Sequence, residues 1–133
     1  MSDQLAPKVK RPLSPHLQVY RLPLTALMSI MHRVTGAALA LGTIIIAAFF
    51  LAAASGEESY DMVMRAADTV GGKVILCLWS AALYYHLCNG IRHMFWDTGR
   101  FLEKDQANRT NYAVLMVAFM LTAGTWAYAN YVN

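Results

Sequence analysis

Residues 37–54 read AALALGTIIIAAFFLAAA, a stretch of 18 residues with no charged side chain and with Thr43 as its only polar one. In hydrocarbon such a stretch forms an α-helix, because a helix satisfies its own backbone hydrogen bonds without water. Extended back to residue 26, it exceeds the roughly 20 apolar residues that cross about 30 Å of bilayer core. Two more stretches, at about 73–95 and 111–131, meet the same criterion. The sequence therefore predicts an all-α membrane protein with three transmembrane helices.

The three predicted spans leave no room for a soluble domain. Of the 133 residues, 57% are hydrophobic and 14% are charged, whereas a soluble domain carries roughly 25% charged residues. We divide the chain into an N-terminal arm, residues 1–24, and a three-helix anchor, residues 25–133. Three helices enclose little interior, so polar groups within them are expected to face partner helices or a cofactor. We therefore expect one subunit of a heteromeric helical bundle.

Positive charges flank the predicted spans unevenly. They lie mainly in the arm, with Lys8, Lys10, Arg11 and Arg21, and after the second span, with Arg92, Arg100, Lys104 and Arg109. Because Lys and Arg concentrate on the cytoplasmic side, the N-terminus is predicted to be cytoplasmic and the C-terminus periplasmic. The first residues show no mitochondrial transit signal, so a bacterial inner membrane is a simpler location than a mitochondrial one. This asymmetry explains the net charge of +3 and gives no reason to invoke nucleic acid.

Local signals predict where the helices begin and end. Three prolines in residues 12–23 oppose a helix there, so the arm is expected to be extended and ordered along the cytoplasmic surface, the alternative being a flexible tail. Thr25 is the predicted N-cap of the first helix. Residues 60–70 are predicted to form a short interfacial helix that ends at Gly71 and Gly72. Residues 108–111 are expected to restart the chain into the last helix.

A histidine lies deep in the second span. Residues 86–97 read HLCNGIRHMFWD, and His86, Gly90, His93 and Asp97 share one helical face. An imidazole in hydrocarbon is costly unless it is paired or bound to a metal, and a neutral imidazole is a good axial ligand for haem iron. The alternative is a histidine bonded to a neighbouring carbonyl, and the position alone does not decide. A haem with two histidine ligands would need its second histidine from another chain.

A second polar face opens the first helix. Ser29, Arg33 and Gly36 fall at i, i+4 and i+7, with His32 beside them. A hydroxyl and a fixed cation at the membrane edge suit hydrogen bonding to the carbonyl of a lipophilic quinone. The alternative for Ser29 is a bond to the carbonyl four residues earlier.

Cationic side chains at this boundary can also bind carboxylates, such as haem propionates, or the head groups of membrane lipid. For Arg92 we favour the lipid role over a carboxylate. Asp97 is expected either to orient His93 or to pair with a basic residue of the loop.

Three segments in this order resemble the cytochrome b subunit of succinate dehydrogenase, a membrane anchor of respiratory complex II. They are residues 11–20 (RPLSPHLQVY), residues 29–36 (SIMHRVTG) and residues 86–97 in the pattern H-x-x-x-G-x-R-H-x-x-x-D. The resemblance implies that His86 is the axial ligand of haem b and that Ser29 and Arg33 line the ubiquinone site. It also implies that His32, Arg33 and His93 lie near the haem propionates.

The resemblance further implies a division of labour between subunits. Succinate is oxidised at a flavin in a flavoprotein subunit, electrons pass through clusters in an iron–sulfur subunit, and ubiquinone is reduced where the anchors meet it. A second anchor subunit supplies the other haem ligand, and the arm packs near the iron–sulfur subunit. This chain has no flavin or cluster motif, so it is expected to contribute binding groups and no catalytic head. The alternatives are an anchor of a quinol:fumarate reductase and a haem-free structural anchor.

Overall fold

The computed structural model describes residues 21–132, which form four helices and no strand. They are α1 (Leu24–Ser55), α2 (Glu57–Asp68), α3 (Val70–Asp97) and α4 (Lys104–Val132). Three of them, α1, α3 and α4, are long and apolar enough to cross a membrane. The predicted all-α class with three spans is confirmed. The predicted conformation of the arm concerns mainly residues 1–20, which lie outside the described residues.

The long helices extend beyond the predicted apolar stretches. α3 covers Val70–Asp97 where residues 73–95 were expected, and α4 begins at Lys104 where residue 111 was expected. The predicted restart of the chain at residues 108–111 is therefore wrong, because these residues lie inside α4. Hydropathy detects the part of a helix that suits hydrocarbon, and it does not detect polar turns that continue the same helix into the interface.

The first helix begins without the predicted cap. Pro23 is its N-cap, and the Pro23 carbonyl accepts the backbone N–H groups of Ala26 and Leu27. Proline suits this position because it fixes φ near the value that the chain needs there. The predicted cap at Thr25 is wrong. The Thr25 hydroxyl instead accepts a hydrogen bond of 2.9 Å from the Asn111 side chain of α4.

The short helix α2 begins earlier than predicted, and the two glycines do not separate it from α3. Thr69 makes the break and caps α3, since its hydroxyl accepts the Gly72 N–H at 3.0 Å. Gly72 lies in the first turn of α3, where a Cβ would overlap the Ala66 carbonyl. Nearby, the hydrogen bond and charge of Lys73 lower the pKa of Asp68. Both side chains are exposed, so this pair adds little stability.

The central helix is α3, which packs against both α1 and α4, while α2 lies against α1 and α3. We call the end where α1 and α4 begin and α3 ends the histidine end. Within residues 21–132 the buried apolar side chains are only Met28, Val114 and Ala118. Large apolar side chains are exposed along every long helix, including Leu41, Leu78 and Phe119. Such surfaces suit lipid or partner helices, as expected for one subunit of a larger bundle.

Gly42 sets the closest approach of α1 to α3. It is buried, and a Cβ built on it would overlap the indole of Trp79. We expect Gly42→Ala to push α1 away from α3 and to cost about 1–3 kcal/mol through overpacking. The measurement is the thermal unfolding midpoint of the detergent-solubilised complex. Gly71→Ala is the matched control, since its Cβ would meet only Thr69 Oγ1, at 4.0 Å. Equal midpoints for the two variants would contradict the packing.

Candidate functional site

Three imidazoles meet between α1 and α3 at the histidine end. The rings of His32 and His86 stack with centroids 3.9 Å apart and planes 10° from parallel. The ring of His93 lies 5.2 Å from that of His32 and 5.1 Å from that of Trp96. His86 and His93, seven residues apart on α3, thus both confront one histidine of α1. The sequence predicted that they share a face, but not that His32 packs between them.

The Nδ1 atom of His86 is held by α1. It lies 3.1 Å from the His32 carbonyl oxygen and 3.3 Å from the Thr35 hydroxyl. A carbonyl can only accept, so Nδ1 must carry the proton. The Thr35 hydroxyl donates to backbone carbonyls of its own helix, at 2.8 Å and 3.0 Å, and its oxygen is free to accept from His86. The Nε2 atom therefore bears the lone pair, and no hydrogen bond joins it to residues 21–132.

The sequence left two interpretations open for His86, a haem ligand or a histidine bonded to a neighbouring carbonyl, and this geometry allows both at once. The histidine is bonded to a neighbouring carbonyl, and that bond uses only one of its nitrogens. A histidine that ligates a metal commonly donates its other N–H to such an acceptor, which fixes the tautomer and the ring orientation. The observed hydrogen bond is therefore compatible with ligation through Nε2.

Of the two glycines beside the stacked histidines, Gly36 is the one that makes room for them. A Cβ on Gly36 would lie 2.9 Å from the His86 Cε1, which is closer than side chains normally approach. Gly36 therefore lets the His86 ring lie directly against the backbone of α1. The nearest atom to a Cβ on Gly90 is Cε1 of His32, at 3.7 Å, an ordinary contact. The Gly90 side of α3 is thus the less crowded side of this cluster.

Ser29 and Arg33 lie on α1 beside this cluster. Ser29 is half-buried, and Arg33 is exposed on the outer side of the three helices. The Ser29 hydroxyl does not make the hydrogen bond to the carbonyl four residues earlier that Thr35 makes. Within residues 21–132 it has no hydrogen-bond partner, so it is available to an outside group. Gly36 lies on the same face of α1 as these two polar groups, and a Cβ there would meet the His86 ring.

Arg92 does not occupy the lipid-facing position that we favoured from the sequence. Its side chain is only 3% exposed. Its Nη1 donates to Asn111 Oδ1 and lies 3.6 Å from the Met28 sulfur. Its Cζ lies 4.4 Å from the centre of the Trp96 ring. The guanidinium turns inward because α4 offers it an acceptor and α3 offers it an aromatic face.

Asn111 links all three long helices and was missed in the sequence. It is completely buried, accepts from Arg92 and donates to Thr25. No residue of the last predicted span was among the site residues that the sequence predicted. An amide at the boundary of a predicted span was the available signal. Asp97, in contrast, is exposed, and no hydrogen bond joins it to His93 in the described residues.

Known proteins of one family match this chain. A model of the "Succinate dehydrogenase/Fumarate reductase transmembrane subunit" family matches residues 7–125. The succinate dehydrogenase cytochrome b556 subunit of Paracoccus denitrificans is 42% identical over 115 residues, 86% of this chain and 88% of that protein. The cytochrome b556 subunit of Rickettsia felis is 38% identical over 117 residues, 88% of this chain and 91% of that protein.

A third similar protein is a cytochrome b560 subunit. The succinate dehydrogenase cytochrome b560 subunit of Reclinomonas americana is 35% identical over 123 residues, 89% of this chain and 85% of that protein. These matches span both α1 and α3, which carry the histidine cluster. The chain therefore belongs to the family of succinate dehydrogenase and fumarate reductase transmembrane subunits.

Proposed function

We propose that this chain is the cytochrome b anchor subunit of a succinate:ubiquinone oxidoreductase. His86 supplies one axial ligand of haem b, and Ser29 and Arg33 form part of the quinone-reduction site. The observation that carries the proposal is the fixed Nδ1 of His86, which leaves Nε2 as a preoriented ligand. The names of the similar cytochrome b556 subunits support a b-type haem.

The described residues fit one side of a haem site. His86 offers a neutral nitrogen ligand, and the acceptors around its Nδ1 raise the basicity of that ligand. Among residues 21–132 no group of three His, Cys, Asp or Glu side chains could hold a metal ion alone. A porphyrin iron with one ligand from this chain needs no such group. When bound, haem b supplies one-electron redox chemistry, and its second axial ligand would come from a second anchor subunit.

Donors for the haem propionates lie at the histidine end. The Nδ1 atom of His32 is buried and has no hydrogen-bond partner among the described residues, although buried polar groups are nearly always paired. His93 adds a second imidazole 5.2 Å from His32. Arg33 adds a fixed cation that suits a carboxylate. We assign these three side chains to the propionate edge of the haem.

Ser29 and Arg33 are suited to a quinone. The Ser29 hydroxyl can donate to a quinone carbonyl oxygen, and the Arg33 guanidinium can stabilise the negative charge that this oxygen gains on reduction. The exposure of Arg33 on the outer side of α1 supports a pocket that a partner subunit closes. The quinone site is therefore shared, and this chain holds one wall of it.

The remaining assignments concern partners and location. The proposed complex contains a flavoprotein subunit, an iron–sulfur subunit and a second anchor, with membrane lipid around the outer apolar faces. Bacterial relatives support a bacterial inner membrane. The positive charges around the histidine end support its location on the cytoplasmic side, which puts the N-terminus in the cytoplasm and the C-terminus in the periplasm.

The proposal is tested by purifying the complex from native membranes through a tag on this chain. We expect flavoprotein and iron–sulfur subunits to copurify, a b-type spectrum, and succinate oxidation coupled to ubiquinone. A complex that contains only menaquinone and favours fumarate reduction would support the fumarate reductase alternative. A fully assembled complex without haem would support the structural anchor and overturn the haem assignment.

A further inference from the structure

We propose that Arg92, a buried cation with no counter-ion among residues 21–132, raises the reduction potential of the haem held by His86 through its charge. This inference rests on the proposed function, because it concerns the same haem. It assigns Arg92 an electrostatic effect on the haem. It also gives Asn111 a role, as the neutral residue that holds Arg92 in place.

The first step is the burial of the charge. The side chain of Arg92 is only 3% exposed, and its Nε and Nη2 atoms have no hydrogen-bond partner in the part of the chain that the structure describes. Its contacts are an amide oxygen, a thioether sulfur and an indole face, from Asn111, Met28 and Trp96. All three are neutral groups. They orient the guanidinium without cancelling its charge.

The second step is the lack of a carboxylate partner. Within residues 21–132 the one ion pair joins Lys73 to Asp68, at the opposite end of α3. The acidic residues closest in sequence at the histidine end are Asp97, Glu103 and Asp105, and all three are exposed to solvent. The charge of an exposed carboxylate is screened by water and salt, whereas a buried charge is screened much less.

The third step is the position of Arg92 relative to the histidines. The guanidinium contacts Met28, which lies one turn before His32 on α1. It also lies over Trp96, whose ring is 5.1 Å from His93. His93 contacts His32, and His32 stacks on His86. Arg92 therefore packs against Met28 and Trp96, and Trp96 in turn contacts the histidine cluster that includes the proposed iron ligand.

The fourth step is the effect of this charge on reduction. Adding one electron to the haem adds one negative charge. A fixed cation nearby stabilises the reduced form relative to the oxidised form, and the effect grows as the local dielectric falls. Asparagine at residue 111 matters because it accepts from Arg92 and carries no charge. An aspartate there would accept the same hydrogen bond and neutralise the guanidinium.

The test is the haem midpoint potential, measured by redox titration of the purified complex. We expect Arg92→Gln to lower the midpoint potential. Arg92→Lys keeps the charge, so its midpoint should stay close to that of the wild type. Asn111→Asp is the second variant, because it keeps a hydrogen-bond acceptor for Arg92 and should also lower the midpoint. It decides the matter if Arg92→Gln fails to assemble. Arg65→Gln, on the exposed surface of α2, is the control and should leave the midpoint unchanged.

The outcomes separate this inference from the proposed function. Wild-type complex without haem would overturn the proposed function and this inference with it. Haem-containing Arg92→Gln and Asn111→Asp complexes with unchanged or raised midpoints would overturn the inference alone. A fall of the midpoint in Arg92→Lys equal to that in Arg92→Gln would also overturn it, because the effect would then follow from altered packing and not from charge.

Discussion

Replacing His86 with alanine is expected to remove nearly all haem b from the purified complex. The substitution deletes the nitrogen ligand and leaves the acceptors that oriented it, the His32 carbonyl and the Thr35 hydroxyl, without their donor. Losing one of two axial ligands leaves the iron with only the partner's ligand. The measurement is the reduced-minus-oxidised absorption spectrum, with haem expressed per flavin or per iron–sulfur cluster in the same sample.

The matched control for this substitution is His93→Ala. It removes an imidazole from the same face of α3, two turns closer to the histidine end, where we assign a propionate contact. We expect this variant to retain the b-type absorption band at reduced or normal intensity. A normal spectrum in His86→Ala would contradict the ligand assignment. Equal loss of haem in both variants would contradict the distinct roles of the two histidines.

The second large effect is expected from Arg33→Ala. A hydrogen bond to a charged group contributes about 1.5–3 kcal/mol, so its loss should lower quinone reduction roughly 10- to 100-fold. Ser29→Ala removes a neutral hydrogen bond and should have a smaller effect in the same direction. The measurement is succinate:quinone activity of the purified complex, compared with reduction of a soluble dye by the peripheral subunits. The dye activity should persist in both variants.

The Arg33→Ala prediction has a matched control on the same helix and a result that would contradict it. The control is Thr43→Ala, because Thr43 lies on the same helix away from the histidine end and, among the described residues, its hydroxyl bonds only to the Ala40 carbonyl of its own helix. It should leave both activities unchanged. If Arg33→Ala reduced quinone and dye activities equally, Arg33 would act in assembly of the complex, and its assignment to the quinone site would be wrong.

The three spans could be predicted because their signal is local. A run such as residues 37–54 meets the length and hydropathy that a bilayer demands, whatever the rest of the chain does. The ends of the helices could not be predicted as well. α4 begins seven residues before its expected start because polar residues near the interface continue the helix, and Pro23 replaced Thr25 as a cap. Neither feature changes the hydrophobic pattern.

For the candidate site too, local features could be predicted from the sequence and features that depend on helix packing could not. The shared face of His86 and His93 follows from spacing on one helix, so the sequence predicted it. The stacking of His32 on His86 depends on the register between α1 and α3, which Gly36 and Gly42 set through contacts distant in sequence. The burial of Arg92 depends in turn on Asn111 of α4. From the sequence alone, an arginine beside an apolar stretch is predicted to face lipid, because its acceptor on the third long helix is not apparent.

The measurement that tests the central claim most directly is the identity of the haem ligands in the oxidised complex, read by near-infrared magnetic circular dichroism. Wild-type complex should show a haem with two histidine ligands. In a His86→Met complex, that signal should be lost or replaced by one of a histidine–methionine pair, because methionine can also ligate haem iron. A bis-histidine signal that persists unchanged in the His86→Met complex would contradict the account.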